Sequence, residues 1–250
     1  MTTTVAVTFD NLGEAAELER GQWPEGEPLG RHFSVCEALP RLLEALREAG
    51  LHATFFVEGL NAELYPETLR ELDAAGHEVA CHGWRHEPWS ELDPAEERER
   101  LERSVRGMGE LGLRPVGFRP PGGELGPASL GTLRELGFRY CSPVGSEVET
   151  RGAIALVPFR WEHIDAFHYL PSFAALRERL TGSGEVLPPA ALRSAVLGAL
   201  DEVARGGGHL TLIFHPFLAD TQERLDVIRA TLQRIRDLGI RPVRGREVAG

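Results

Sequence analysis

Two histidines, His82 and His86, stand four positions apart directly after a short apolar run. Imidazole is a common ligand for zinc and similar divalent metals. If this segment takes a helical turn, residues four apart lie on one face, so both rings could bind one ion. Such a pair also occurs by chance, so the rest of the chain must decide between a metal site and two structural histidines.

The elements around this pair alternate between strand and helix. Apolar, β-branched runs predict strands at residues 3–9, 52–57, 78–81, 115–118, 138–141, 154–159, 210–214 and 240–243. Helical periodicity predicts helices at residues 34–49, 66–75, 94–111, 127–136, 172–180, 189–204 and 220–238, and residues 12–31 are predicted to form a long loop. This alternation is typical of parallel strands joined by right-handed crossovers. A closed barrel and an open, doubly wound sheet both fit, but no Gly-x-Gly-x-x-Gly follows the first strand, which disfavours a nucleotide-binding sheet.

Polar side chains stand where several of these predicted strands end. Asp10, His82, Arg119 and His215 each follow or close a strand, and Asp165 comes a few residues after another. In a barrel the carboxyl ends of the strands converge on one face, where catalytic sites are built. Stability alone does not explain so many polar residues at strand ends, so we expect them to share a site.

Composition restricts the classes of function. The chain has 250 residues, a net charge of -11 and 42% apolar residues, which is typical of a globular protein and argues against nucleic acid or an anionic membrane as partner. No signal peptide and no membrane span are visible, so we expect a cytoplasmic protein that forms one domain over residues 1–250. The three cysteines are widely spaced and predict no disulfide.

Five segments, in order, give the chain a family resemblance. They are residues 8–11 (Thr-Phe-Asp-Asn), 82–86 (His-Gly-Trp-Arg-His), 119–123 (Arg-Pro-Pro-Gly-Gly), Trp161 with Asp165, and 212–216 (Leu-Ile-Phe-His-Pro). Together they resemble the motifs of the polysaccharide deacetylases, the NodB-homology family or carbohydrate esterase family 4. Gly83 follows the first histidine and Glu87 follows the second. This pattern resembles one branch of the family, which contains allantoinase-like amidohydrolases and intracellular relatives of peptidoglycan deacetylases.

The resemblance implies a fold and a reaction. The fold is α/β, a distorted (β/α) barrel of seven or eight strands similar to a TIM barrel. The reaction is the metal-dependent hydrolysis of a carbon–nitrogen bond other than a peptide bond, in carbohydrate metabolism or on a small or cyclic amide. The ion is zinc, with cobalt, manganese or nickel as alternatives, and the partner is the carbohydrate or small-molecule amide. Assembly into a homo-oligomer is left open.

The resemblance also assigns roles to residues. A metal held by His82 and His86, with Asn11 at the third position, would polarise the amide and activate water. Asp10 would be the general base and His215 the general acid. The other assignments are Arg119 as the partner of Asp10, Asp165 as the residue that orients Arg119, the Gly122 N–H as an oxyanion donor, and Trp161 and Trp84 as walls of the substrate cleft.

Two positions depart from the family pattern. Asn11 stands where the family has a second Asp that binds the metal, and a neutral amide oxygen binds a divalent ion less strongly than a carboxylate does. Glu14 from the following loop could substitute as ligand. Gly122 stands where the family has an aromatic residue. Asn11 therefore leaves two alternatives: an impaired barrel that binds a carbohydrate or metabolite, and a metal-independent enzyme that uses Asp10 and His215 alone.

Overall fold

One curved sheet organises the structure, a computed structural model that describes residues 3–249. Its strands are β1 Thr4–Asp10, β2 Thr54–Val57, β3 Glu78–Cys81, β4 Gly117–Phe118, β5 Tyr140–Cys141, β6 Glu149–Arg151, β7 Ile154–Leu156, β8 His209–Phe214 and β9 Arg241–Pro242. Their order is β6-β7-β5-β4-β3-β2-β1-β8, and β9 also pairs with β1. In this part of the chain all pairings are parallel except that of β6 with β7.

The sheet curls into a distorted α/β barrel that does not close by regular pairing. Within residues 3–249, β7 and β8 form no ladder with each other. An isolated parallel bridge between Ile164 and Ile213 of β8 connects the two sides instead. The predicted fold, a distorted barrel of parallel strands in one domain, is confirmed.

Helices cover the outside of the sheet and make the crossovers between its strands. They are α1 Ala15–Glu19, α2 Leu39–Ala49, α3 Asn61–Leu64, α4 Pro66–Ala74, α5 Pro94–Glu110, α6 Ser129–Glu135, α7 Asp165–Tyr169, α8 Ala174–Thr181, α9 Pro189–Gly206, α10 Gln222–Asp237 and α11 Gly245–Val248. None of the described helices is long and apolar enough to cross a membrane. The three cysteines are free.

Strand β1 shows how the sheet separates core from site. Successive side chains of a strand point to opposite faces. Val5, Val7 and Phe9 join the apolar core that the sheet forms with its helices, and Phe9 stacks on Phe55 of β2 at 5.0 Å between ring centroids. The alternate residues therefore face the barrel interior, and among them Asp10 reaches the carboxyl edge of the sheet.

The long predicted elements are present, and the differences lie where tertiary contacts decide local structure. The predicted helix over residues 94–111 is α5, which begins with a capping box of Asp93 and Glu96. The predicted helix over residues 34–49 is a π-helical turn, Ser34–Ala38, followed by α2. The predicted long loop over residues 12–31 contains α1, and the hairpin strand β6 was not predicted.

Candidate active site

A cavity of about 480 Å³ opens at the carboxyl edge of the parallel strands. Asp10 closes β1, His82 follows β3, Arg119 follows β4 and His215 follows β8, and all of them line the cavity. The structure thus brings together residues that lie far apart in the chain. This is the convergence that the positions of these residues at strand ends predict.

The turn that carries the two histidines is not helical, so the helical turn that was considered as one way to bring the two rings together does not form. Gly83 has φ of 78° and His86 has φ of 69°, both in the left-handed region that an α-helix does not use. The Glu87 carboxylate accepts hydrogen bonds from the backbone N–H groups of Trp84 at 3.0 Å and Arg85 at 3.1 Å. This tight turn still brings the rings of His82 and His86 together, with centroids 4.9 Å apart.

Both imidazoles are held in the neutral form that a metal ligand requires. Burial lowers the pKa of His82 to about 3. Burial also lowers the pKa of His86 well below its usual range, and the neighbouring His82 and Arg20 add to the effect. His82 Nδ1 lies 2.8 Å from the Arg119 carbonyl oxygen. A carbonyl can only accept, so Nδ1 carries the proton and the lone pair of His82 is on Nε2.

Asn11 contributes a side-chain oxygen to the same cavity, and the described residues offer that oxygen no hydrogen-bond partner. Its Oδ1 is buried and accepts no hydrogen bond from residues 3–249, although the side chain lines the cavity. Outside glycine, only Asn11 and His86 have positive φ in this part of the chain, and such backbone strain often accompanies function. Two neutral imidazoles and one free amide oxygen fit a divalent ion.

Glu14 does not provide the third ligand, contrary to the alternative that the sequence left open. Its Oε2 accepts the Tyr65 hydroxyl at 2.6 Å, and its Oε1 accepts the Gly30 N–H at 2.6 Å. The side chain is fully buried and does not line the cavity. Both carboxylate oxygens of Glu14 are therefore engaged in ordering the loop after β1.

Asp10 forms the predicted buried ion pair with Arg119. Arg119 Nη1 donates to Asp10 Oδ1 at 2.6 Å and to the Thr8 hydroxyl at 2.8 Å. The remaining guanidinium nitrogens donate to the Ser142 hydroxyl, and the group lies 4.0 Å from the centre of the Phe56 ring. Burial lowers the pKa of Arg119, whereas the Asp10 charge opposes this, and a guanidinium remains cationic.

Asp165 orients His215 and not Arg119, which corrects the predicted role. Asp165 Oδ1 lies 2.6 Å from His215 Nδ1, and its Oδ2 accepts the His215 backbone N–H at 2.7 Å. Ser142 and Thr8 take the place at Arg119 that the sequence assigned to Asp165. Burial lowers the pKa of His215, but the charge and hydrogen bond of Asp165 outweigh it, and the net pKa is raised.

The three predicted substrate contacts divide into two that reach the cavity and one that does not. Gly122 and Trp161 line the cavity, and the Gly122 N–H has no hydrogen-bond partner in residues 3–249. The prediction for Trp84 is wrong: its side chain is 2% exposed, and the Arg103 guanidinium covers its ring at 3.8 Å. The turn points Trp84 into the core and His86 into the cavity.

Two residues that line the cavity, and one buried carboxyl group close to Asp10, were missed by sequence reasoning. Arg20 and Gln22 reach the cavity from the end of α1, inside the segment predicted as a loop. Glu58 directly follows β2 and is fully buried, and burial raises its pKa well above the usual range. The position of Glu58 at a strand end is the signal that identified Asp10 and could have identified it too.

Comparisons with known proteins show the family and the fold. A family model described as polysaccharide deacetylase matches residues 2–141, over half of the chain. A peptidoglycan deacetylase of Helicobacter pylori is 33% identical over 109 residues, but the match covers only 43% of this chain and 37% of that protein. A crystal structure from Mycobacterium smegmatis, provisionally assigned as a polysaccharide deacetylase, is 29% identical with a TM-score of 0.84 over 99% of this chain and 89% of that one. Puue allantoinase shares the fold at 19% identity, with a TM-score of 0.77 over 98% and 88%.

Proposed function

Because the chain belongs to the polysaccharide deacetylase family, we propose that it is a metal-dependent hydrolase of carbon–nitrogen bonds other than peptide bonds. One observation carries the proposal: Asp10, His82, His86 and His215 line one cavity. The substrate is an N-acetylated sugar or a small or cyclic amide, and we place the enzyme in the cytoplasm. The name of the Helicobacter pylori relative, a peptidoglycan deacetylase, supports the sugar.

His82, His86 and Asn11 would hold the ion, with zinc as first choice and cobalt, manganese or nickel as alternatives. When bound, a divalent ion of this kind polarises an amide carbonyl and makes water more acidic. The chain fixes the His82 ligand through the hydrogen bond from Nδ1 to the Arg119 carbonyl. A hydrogen bond of this type from the second ring nitrogen sets the tautomer and orientation of a ligating histidine.

Asp10 would act as the general base. Its Oδ1 is held by Arg119 at 2.6 Å, so the carboxylate has a fixed direction and accepts the proton of the attacking water. The water oxygen adds to the amide carbon, and the carbonyl oxygen gains negative charge. The Gly122 N–H can donate to that oxygen from the cavity wall.

His215 would complete the reaction as general acid. Asp165 holds Nδ1, so the proton on Nε2 is the one available to the leaving nitrogen. The carbon–nitrogen bond breaks as this proton is transferred, which yields a carboxylic acid and an amine. Base and acid would thus act from different places in the sheet, the end of β1 and the residue after β8, on the two ends of one amide.

The proposal predicts metal-dependent hydrolysis. We expect the metal-stripped protein to release no amine from N-acetylglucosamine oligomers or from cyclic amides, and activity to return with zinc, cobalt, manganese or nickel. Amine release and bound metal would be measured on the same samples. Equal activity with and without metal would favour the metal-independent alternative, and no activity under any condition would contradict a hydrolase.

An impaired site that only binds a carbohydrate or metabolite is the second candidate, and Asn11 favours it. Asn11→Asp adds a charge beside His82 and His86, so we expect zinc to bind at least about tenfold more tightly. Zinc affinity and kcat would be measured together. A parallel rise in kcat from near zero would support the impaired site, whereas unchanged kcat and affinity would mean that other groups already hold the ion.

Gln22→Glu is the matched control for that variant. Gln22 is exposed on the rim of the same cavity, so the substitution adds the same charge without adding an oxygen beside the imidazoles. A similar tightening of zinc binding in Gln22→Glu would attribute the effect to general electrostatics and not to position 11.

A further inference from the structure

The cavity combines its polar catalytic groups with an aromatic strip. Phe159, Trp161 and Phe173 pack in sequence, with ring centroids 5.3 Å and 5.5 Å apart, and all of them line the cavity. Leu170 and Phe217 extend the same apolar lining. Apolar walls with a few polar groups favour a ligand whose body is apolar and whose polar ends are fixed in place.

Arg20 brings an unshared positive charge to this cavity. It directly follows α1, is exposed and lines the cavity. No carboxylate of residues 3–249 lies within ion-pair distance of its guanidinium, although the adjacent Glu19 pairs with Arg85 at 3.6 Å. The hydrogen bond of the Arg20 side chain runs to His86, where Nη2 lies 3.3 Å from Nδ1.

That hydrogen bond is incompatible with a metal on His86. A guanidinium can only donate, so Nδ1 of His86 accepts and the neutral ring carries its proton on Nε2. An ion bound at Nδ1 would take the lone pair that Arg20 uses. An ion bound at Nε2 would move the proton to Nδ1, which would then face Arg20 donor to donor. In either case the hydrogen bond between Arg20 and His86 would be lost when His86 binds metal, and the Arg20 guanidinium, which already lines the cavity, would be available to a ligand.

The other charged residues near the cavity do not neutralise the positive charge of Arg20. Asp10 is paired with Arg119 at 2.6 Å, and Asp165 is paired with His215 at 2.6 Å. Position 11, which could have added a negative charge beside the histidines, is a neutral Asn. A metal-loaded site therefore presents a cation, a free guanidinium and no free carboxylate among the described lining residues.

We infer that Arg20 binds an anionic group of the substrate. The substrates are then amides with an apolar, preferably aromatic, body and a carboxylate that pairs with the guanidinium. This inference rests on the proposed function, because it concerns the same cavity. A guanidinium matches a carboxylate with two parallel N–H groups, so Arg20 would select charge and orient the amide relative to His86.

Binding of two small probes tests the inference without turnover. Phenylacetate and 2-phenylethanol share the aromatic body and differ in the carboxylate, and calorimetry would measure both on the zinc-loaded full chain. We expect the native chain to bind phenylacetate about tenfold more tightly than the alcohol. In Arg20→Gln we expect the two probes to bind within about twofold of each other.

Arg160→Gln is the matched control, because Arg160 is exposed, follows β7 and lines a different cavity. It should keep the tenfold preference. If Arg20→Gln kept the preference for phenylacetate, the carboxylate would be bound by the zinc ion, and the inference would be overturned. Equal or undetectable binding of both probes by the native chain would overturn it too. If the chain hydrolysed a neutral N-acetyl sugar and showed no preference for anionic substrates, the inference would be overturned but the proposed function would stand. If Arg20 bound the anion but the chain hydrolysed no amide, the proposed function would be overturned but the inference would stand.

Discussion

Asp10→Asn is expected to lower kcat by about 10³-fold while the chain stays folded. The amide keeps an oxygen that can accept from Arg119 Nη1, which donates to Asp10 Oδ1 at 2.6 Å in the native chain. It cannot take a proton from water, so the step that creates the nucleophile loses its base. kcat would be measured under saturating zinc, and zinc affinity alongside it, because Asp10 is not among the proposed ligands.

Loss of the Asp10 charge also leaves Arg119 buried without its counter-ion. Removing one partner of a buried pair costs about 3–5 kcal/mol, and the retained hydrogen bond should place this variant near the lower figure. Asp220→Asn is the control: it breaks the exposed pair with Arg224, 2.8 Å in length, and should change neither kcat nor Tm appreciably. Asp10→Asn with near-native kcat would remove Asp10 from the role of base.

The framework of this site could be predicted because it depends on local pattern. Alternation along β1 and the order of strands and helices decide which residues reach the carboxyl edge of the sheet. Asp10, His82, Arg119 and His215 all arrive there as expected. A strand end is a position that sequence periodicity can locate to within a residue or two, and parallel pairing then brings the ends together.

The pair of Asp10 with Arg119 was predicted from the family resemblance, but the other partners could not be predicted, because they depend on tertiary distances of a few ångströms. Asp165 lies 50 positions from His215 in the chain, and the bridge between the neighbouring Ile164 and Ile213 helps to put the two side by side. Likewise, Glu14 orders the loop after β1 through Tyr65 and Gly30. Sequence periodicity contains no information about such contacts, so it could not predict that Arg20, at the end of α1, reaches the cavity.

The two charge pairs explain how acid and base can coexist in one cavity. Asp10 is held by a permanent cation, Arg119, whereas His215 is held by an anion, Asp165. The anion favours the protonated, donating form of His215 after β8, and the cation fixes the direction of the Asp10 carboxylate on β1. The raised pKa of His215 is the measurable sign of this arrangement.

His215→Gln is expected to lower kcat by about 10²- to 10⁴-fold for substrates whose leaving group is a poorly stabilised amine. Glutamine retains hydrogen-bonding capacity toward Asp165 but has no proton to transfer. The loss should be far smaller for an activated anilide, because its leaving nitrogen needs less protonation. kcat for an alkyl amide and for a nitroanilide of the same acid would be compared. Equal losses for both substrates would argue against His215 as the acid.

Asp165→Asn tests the role of the His215 proton through the pH dependence of kcat. The anion of Asp165 raises the pKa of His215, so the native acid stays protonated, and active, until the pH rises through that raised value. Without the anion, burial is left to lower the pKa, and the alkaline limb of kcat should move to lower pH. At a pH well below the new limb most of the activity should return, which separates a change in titration from damage to the site. An alkaline limb at the native position in Asp165→Asn would mean that a different group sets it.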